Sequence, residues 1–402
     1  MDNASGRTAR EANQRDSLHV ASEKEIRAGR TTDVYFFRTV EILEATGADR
    51  PVRAEFIAKS LPNSADWAVL AGLDEALALL EGLPVDVRAM PEGTVFHPYE
   101  PVVEISGSYL SFCVLETALL GLLCQASGVA TKAARIRKLA GDTMVASFGA
   151  RRVHPAIAPA IERAAYIGGC DGVSVVKSAE LLQADPTGTT PHSLILLVGD
   201  TVDAMLAYDR VLPAGIPRIA LIDTFNDEKF EAIRVAEALG DRLWGVRLDT
   251  PASRRGNFRR ILEEVRWELD LRGFQHVKLV VSGGLDEDDI PQLGGLVDAF
   301  GVGTSISAAK TVDFAMDIVE IDGQPIAKRG KMSGAKEVWY YPDSNRTLVL
   351  PLNQQPPMED GAEPRKLLQP VLQAGQLLQP LPEARQIRSY VLEQLPRLAS
   401  NQ

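Results

Sequence analysis

Between Arg218 and Ser307 one physical pattern occurs four times: "RIALID", "LWGVRLD", "VKLVVSGG" and "VDAFGVGT" are apolar runs of strand length separated by helix-like sequence. Runs that are apolar on both faces suit parallel strands covered on both sides, and parallel strands must be joined by crossovers, usually helices. One crossover can be read residue by residue. Asn257 is placed to cap a helix, Phe258, Ile261, Leu262, Val265 and Leu269 fall on a single stripe, and Gly273 stops it. The units recur every 20 to 35 residues or so, which predicts an α/β sheet of strand–helix repeats, closed into a barrel.

The rest of the chain divides around that repeat. From 31 to 128, "VRAEFIA", "PVDVRAM" and "PVVEISG" are short strand-like segments broken by Pro and Gly, followed by the helical "FCVLETALLGLLC"; this predicts an N-terminal α+β domain. The barrel is expected over 129–320. Residues 321–402 are expected to pack on the N-terminal domain, without a zinc site. Residues 1–30 are polar and nearly free of aromatics, which predicts a mobile arm. A net charge of −11 argues against a surface that coats nucleic acid or seeks membranes. Cys113, Cys124 and Cys170 form no CxxC pair, so neither a disulfide framework nor a structural zinc site is expected. No signal-peptide core and no run near the roughly 20 apolar residues of a membrane span is read, so the cytoplasm is the expected compartment.

In barrels of parallel strands, chemistry gathers at the carboxyl ends of the strands. Here the runs end in "IDTFND", "VRLDTP", "VSGGLD" and "GVGTSIS". Glycine lets backbone N–H groups close on an anion, and a helix start adds partial positive charge. Ser282, Gly283 and Gly284, with Gly301, Gly303 and Thr304, are therefore candidate phosphate grips. Arg247 and Asp249 alternate with Leu248, so both face one side of their strand, and Asp223 ends its neighbour. In "GTTPHS", Pro191 restricts Thr190 to extended backbone and suits a first helical turn, so His192 should stand rigidly at a helix start. A neutral imidazole there can attack a phosphoryl group.

The ordered set "TDVYFFRT", "FGARRVHP", "AAYIGGCDGVS", "GTTPHS", "DTFNDEKFEA", "VRLDTP", "VSGGLD" and "GVGTSIS" resembles the nicotinate phosphoribosyltransferases, close to their archaeal-type branch. The resemblance spans about Thr31 to Tyr341. It implies an irregular (β/α) barrel of the type II phosphoribosyltransferases, acting as a homodimer. It implies formation of nicotinate mononucleotide from nicotinate and phosphoribosyl pyrophosphate with Mg2+, coupled to ATP hydrolysis. By motif position it gives Phe148 to the pyridine ring, Arg151 and Arg152 to its carboxylate and a phosphate, and Tyr35 to the ring of the partner's site. Asp171 would lie near the base or only shape a turn, Arg247 on base or phosphate, and Asp249 on the ribose hydroxyls or a magnesium-bound water. His192 would be the residue phosphorylated by ATP. The basic "KRGKMSGAKE" offers Lys331 or Lys336 to phosphate. "RLDTPASRRG" departs from the family's usual "RLDSGD", and the tail lacks the cysteines of some archaeal-type relatives. Alternatives are a quinolinate or nicotinamide phosphoribosyltransferase, a flavin-binding barrel, and a pyridine-nucleotide-binding homologue without turnover.

Overall fold

The computed structural model describes residues 18–359 and 361–398. Two sheets share one long helix. The first sheet has seven strands, and at its centre Pro51–Ala58 lies antiparallel between Pro101–Ser108 and Phe314–Ile321. Alternation along "PVRAEFIA" sends Val52, Ala54 and Phe56 into an apolar core and leaves Arg53 and Glu55 on the other face. The second sheet has six strands, all parallel, in the order Gly172–Val173, Met144–Ser147, Ala299–Val302, Lys278–Ser282, Leu243–Leu248, Arg218–Leu221.

Cys113–Ala140 is the pillar between the sheets. Its first half packs Leu115, Leu119 and Leu123 into the core of the first sheet; its second half packs Val129, Ala130, Ala133, Ala134 and Ile136 into that of the second. Each Leu or Val so buried contributes on the order of 2 kcal/mol. These 28 residues are long and apolar enough to cross a membrane, contrary to the sequence expectation, but the apolar surface is used to join two cores.

The six parallel strands form a curled half-barrel rather than the fully closed sheet expected, because the outer strands Gly172–Val173 and Arg218–Leu221 do not pair with each other. The segment 187–190 fills the gap. Thr187 N–H donates to the Val173 carbonyl (2.7 Å), while the Thr190 hydroxyl donates to the Ile219 carbonyl (2.9 Å) and accepts from Leu221 N–H (3.1 Å). The barrel is thus irregular: one of its staves is held partly by a side chain. Its outer helix Phe258–Leu271 is capped by Asn257, whose side chain accepts from Arg260 N–H at 3.2 Å, and it buries the expected stripe.

Three boundaries differ from those read in the sequence. Residues 1–17 of the expected arm lie outside the described residues, but Glu23–Arg27 is a helix closed by a reciprocal Ser22–Glu25 capping box, and Ile26 packs on the first core. Phe314–Ile321 belongs to the first sheet, not the barrel, since pairing with Pro51–Ala58 satisfies its backbone. The C-terminal segment divides: Gln369–Gln373 pairs with Val85–Ala89 in the first sheet, whereas helix Ala384–Gln394 packs Ile387 and Val391 on the barrel side.

Candidate active site

Register fixes which side chains point into the half-barrel. Met144, Ile219, Val280 and Ala299 form a small apolar cluster apart from the main core, and these are the interior faces of four strands. Partners in register share a face: Val280 lies beside Arg247, Arg247 beside Leu221, and Ser282 beside Gly301, which is beside Ala146. Counting two residues on from these interior positions reaches Phe148, Asp223, Asp249 and Gly303. The sequence-predicted residues therefore collect at one mouth above an apolar floor.

At that mouth, His192 opens the helix His192–Val198 after Pro191. Its Nε2 stands 3.2 Å from Asp223 Oδ1, and the Asp223 side chain is only 4% exposed. The edge of the imidazole is thus held against a carboxylate that the surrounding protein encloses. Burial raises the Asp223 pKa above its ordinary value, opposed by His192 and reinforced by Asp249. Arg247 is similarly enclosed, 13% exposed, with its nearest ion-pair contact to Asp249 at 3.8 Å. Its Nε is buried without a partner, and burial lowers its pKa, opposed by Asp249 and Asp223 and helped by the charge of Arg151. The hydroxyls of Thr189 and Thr224 are also buried and unpartnered. Buried polar groups are nearly always satisfied, so this concentration of unsatisfied ones marks where a polar ligand belongs.

The glycine loops are built around the same residues. Asp249 Oδ1 accepts from the Ser282 hydroxyl at 2.7 Å, and a Cβ on Gly283 would stand 2.8 Å from that same oxygen, at a φ of +89° that side chains rarely adopt. A Cβ on Gly301 would overlap the Phe148 ring, so the glycine makes room for the aromatic. The backbone N–H groups of Gly283, Gly284, Gly303 and Thr304 find no acceptor among the described residues. They are donors in waiting. A cavity of about 430 Å³ adjoins both loops and is lined by Gly284, Thr304, Lys132, Arg135 and Lys310. Arg151 and Arg152 lie on the exposed turn Ala150–Arg152 after the Phe148 strand, without ion pairs among the described residues.

Other candidates lie elsewhere. Asp171 sits at the amino end of its strand, opposite the mouth, where it accepts from Arg137 (2.7 Å), Val145 N–H (2.8 Å) and Arg388 (2.5 Å). It is an anchor for the barrel's base. Lys336 is buried in an ion pair with Glu55 (2.9 Å), and Lys331 is paired with Asp317; both neutralise carboxylates of the first sheet, so neither is free for phosphate. Tyr35 is 54% exposed on helix Val34–Thr46, with its hydroxyl 3.4 Å from Asp33, and does not reach its own chain's mouth.

Sequence reasoning missed Arg255. From the divergent "TPASRRG" it donates to the carbonyls of Thr250 (2.8 Å), Ser282 (3.2 Å) and Gly283, binding the Asp249 loop to the glycine turn. Lys132 and Arg135 were missed as well, because they sit mid-helix; they grip Glu287 at 2.7 and 2.9 Å just past the glycine turn. The only signal was the basic pair Arg254-Arg255.

Comparison with known proteins agrees with this geometry. Residues 33–127 match the family model "Quinolinate phosphoribosyl transferase, N-terminal domain" and residues 129–317 match its "C-terminal domain". A nicotinate phosphoribosyltransferase of Mycobacterium tuberculosis is 30% identical, over 92% of this chain and 91% of that protein. The crystal structure of a nicotinate-nucleotide pyrophosphorylase from Pyrococcus furiosus superposes with a TM-score of 0.93 at 54% identity, covering 95% of this chain and 99% of that one. Human nicotinic acid phosphoribosyltransferase shares the fold, with a TM-score of 0.75 at 22% identity over 92% of this chain and 94% of the human one.

Proposed function

Because the chain belongs to the nicotinate phosphoribosyltransferase family, we propose that it joins nicotinate to phosphoribosyl pyrophosphate, releasing nicotinate mononucleotide and pyrophosphate in NAD salvage. The name of the Mycobacterium relative puts nicotinate itself in the reaction, which favours nicotinate over quinolinate. The observation that carries this reading is the buried Arg247, whose Nε lacks a partner beside Asp249 and the His192–Asp223 pair.

In this reading Phe148 stacks on the pyridine ring and Arg151 meets its carboxylate, where a planar guanidinium binds both oxygens. Arg152 meets a phosphate of the ribosyl donor. Arg247 stabilises negative charge on base or phosphate, and the free amides of Gly283, Gly284, Gly303 and Thr304 hold the 5′-phosphate. Asp249, oriented by Ser282, receives the ribose hydroxyls. Mg2+, which supplies charge for the departing pyrophosphate, suits Asp223 and Asp249, two carboxylates of the kind that hold its waters beside substrate phosphates. ATP is the co-substrate, and His192 takes its γ-phosphoryl group; with Nε2 against Asp223, Nδ1 is the attacking nitrogen. We further propose a cytoplasmic homodimer in which the exposed Tyr35 closes the partner's pyridine site.

The test is an assay of nicotinate, nicotinamide and quinolinate with and without ATP, paired with γ-labelled ATP. Nicotinate turnover stimulated by ATP and an acid-labile label absent from His192→Ala are expected. Preferential quinolinate turnover would overturn the substrate; an undiminished label on the variant would overturn the role of His192.

A further inference from the structure

A second cavity, about 320 Å³, lies away from the barrel mouth, where the N-terminal domain, the small sheet around Lys336–Tyr341 and the C-terminal helix meet. Its wall is aromatic and cationic: Tyr340, Tyr390, His97, Arg365 and Arg397, with Glu393 as its acid. That composition runs against the chain, which carries −11 overall. Neither arginine has a carboxylate partner among the described residues; Arg365 lies over the Tyr340 ring at 5.0 Å, and Arg397 reaches only the Tyr340 hydroxyl, at 3.4 Å. His97 Nδ1 stands 3.5 Å from Glu100 Oε1, and the Thr347 hydroxyl donates to that same oxygen.

We infer that this cavity is a second ligand site, for a nucleoside monophosphate, with the phosphate between Arg365, Arg397 and His97 and a planar ring against Tyr340 or Tyr390. Guanidinium groups free of carboxylates are suited to bidentate phosphate contact, and tyrosines offer a flat apolar face at small entropic cost. The volume lies at the small end of the usual range for ligand pockets, about 300–1,000 Å³, which suits a mononucleotide better than a dinucleotide. The neighbouring Glu100 raises the pKa of His97, which adds to the positive charge when the imidazole is protonated. The C-terminal helix that lines the cavity also anchors on the barrel through Arg388 and Asp171.

Equilibrium dialysis with adenosine 5′-monophosphate, nicotinate mononucleotide and inorganic phosphate in separate arms tests the site and its source of phosphate. Arg247→Ala should keep one nucleotide site per chain. Adding Arg365→Ala and Arg397→Ala should weaken that site at least tenfold with the melting temperature unchanged; Arg365→Gln alone serves if the multiple variant fails to fold. The two nucleotides tell an adenine from a pyridine source. Unaltered nucleotide binding after loss of the arginines, no second site in any arm, or phosphate binding as tightly as either nucleotide would overturn the proposal.

Discussion

The barrel mouth and the charged face of the first sheet are both crowded with buried charge, and they treat it oppositely. On the sheet, Glu55 stands in register between Glu104 and Asp317, an arrangement of like charges that would be unfavourable alone. Cations close over it. Lys336 meets Glu55 at 2.9 Å, Arg53 meets Glu104 at 2.5 Å and Glu320 at 2.9 Å, Arg88 meets Glu337 at 2.7 Å, and Lys328 meets Asp317 at 2.8 Å. At the mouth Arg247 comes no nearer than 3.8 Å to Asp249, and its Nε has no hydrogen-bond partner. Charge that is paired inside the protein supports the fold; charge left open in a walled site is kept for something that enters.

The largest expected effect breaks the closed half of that contrast. Lys336→Ala leaves Glu55 buried without its cation and should lower unfolding free energy by about 3–5 kcal/mol, read by denaturant unfolding. The open half should respond in rate. Arg247→Ala should cut kcat/KM about 10²–10³-fold while the melting temperature holds, because the guanidinium's Nε has no protein partner to lose. If it unfolded the protein instead, the distinction between the two regions would fail. Arg255→Ala should reduce kcat/KM about tenfold by loosening the Asp249 loop from the glycine turn, with Arg255→Lys recovering part of it.

The smallest effect sharpens the contrast through pH. Glu116 begins the pillar helix near Asp317 and Lys328, and its pKa is raised to about 7 by burial first and then by the Asp317 charge. A carboxyl whose pKa is higher folded than unfolded favours the fold while protonated. That contribution is complete below about pH 4.5 and disappears as pH rises through about 7. Since Glu116 is only partly buried, the expected gain for Glu116→Gln is about 1 kcal/mol at pH 8 and close to nothing at pH 4, measured by unfolding at both values.

Much of the molecule is legible in its sequence. The strand-end residues Phe148, Asp223, Arg247, Asp249, Ser282 and the paired glycines come together because a parallel sheet brings all its carboxyl ends to one side, and a period of two then fixes which side chains share a face. His192 was legible because Pro191 is local punctuation. Asp171 was legible only in part: "GGCDG" shows a turn at a strand, and nothing in five residues says which end of the barrel that turn occupies.

What the sequence alone determined is what depends on neighbours along the chain: the helix stripe from Phe258 to Leu269, the apolar strands, the glycines that follow them, and therefore the chemistry available at the mouth. Only the tertiary structure decided the rest. It opened the barrel between Val173 and Ile219 and filled the gap through Thr187 and Thr190, gave Phe314–Ile321 to the other sheet, paired Lys336 with Glu55 across 281 positions, and left Arg247 Nε without an acceptor. Whether a polar group is satisfied depends on the atoms that fold next to it in a low-dielectric interior, and residues far apart in the chain carry no local mark of that meeting.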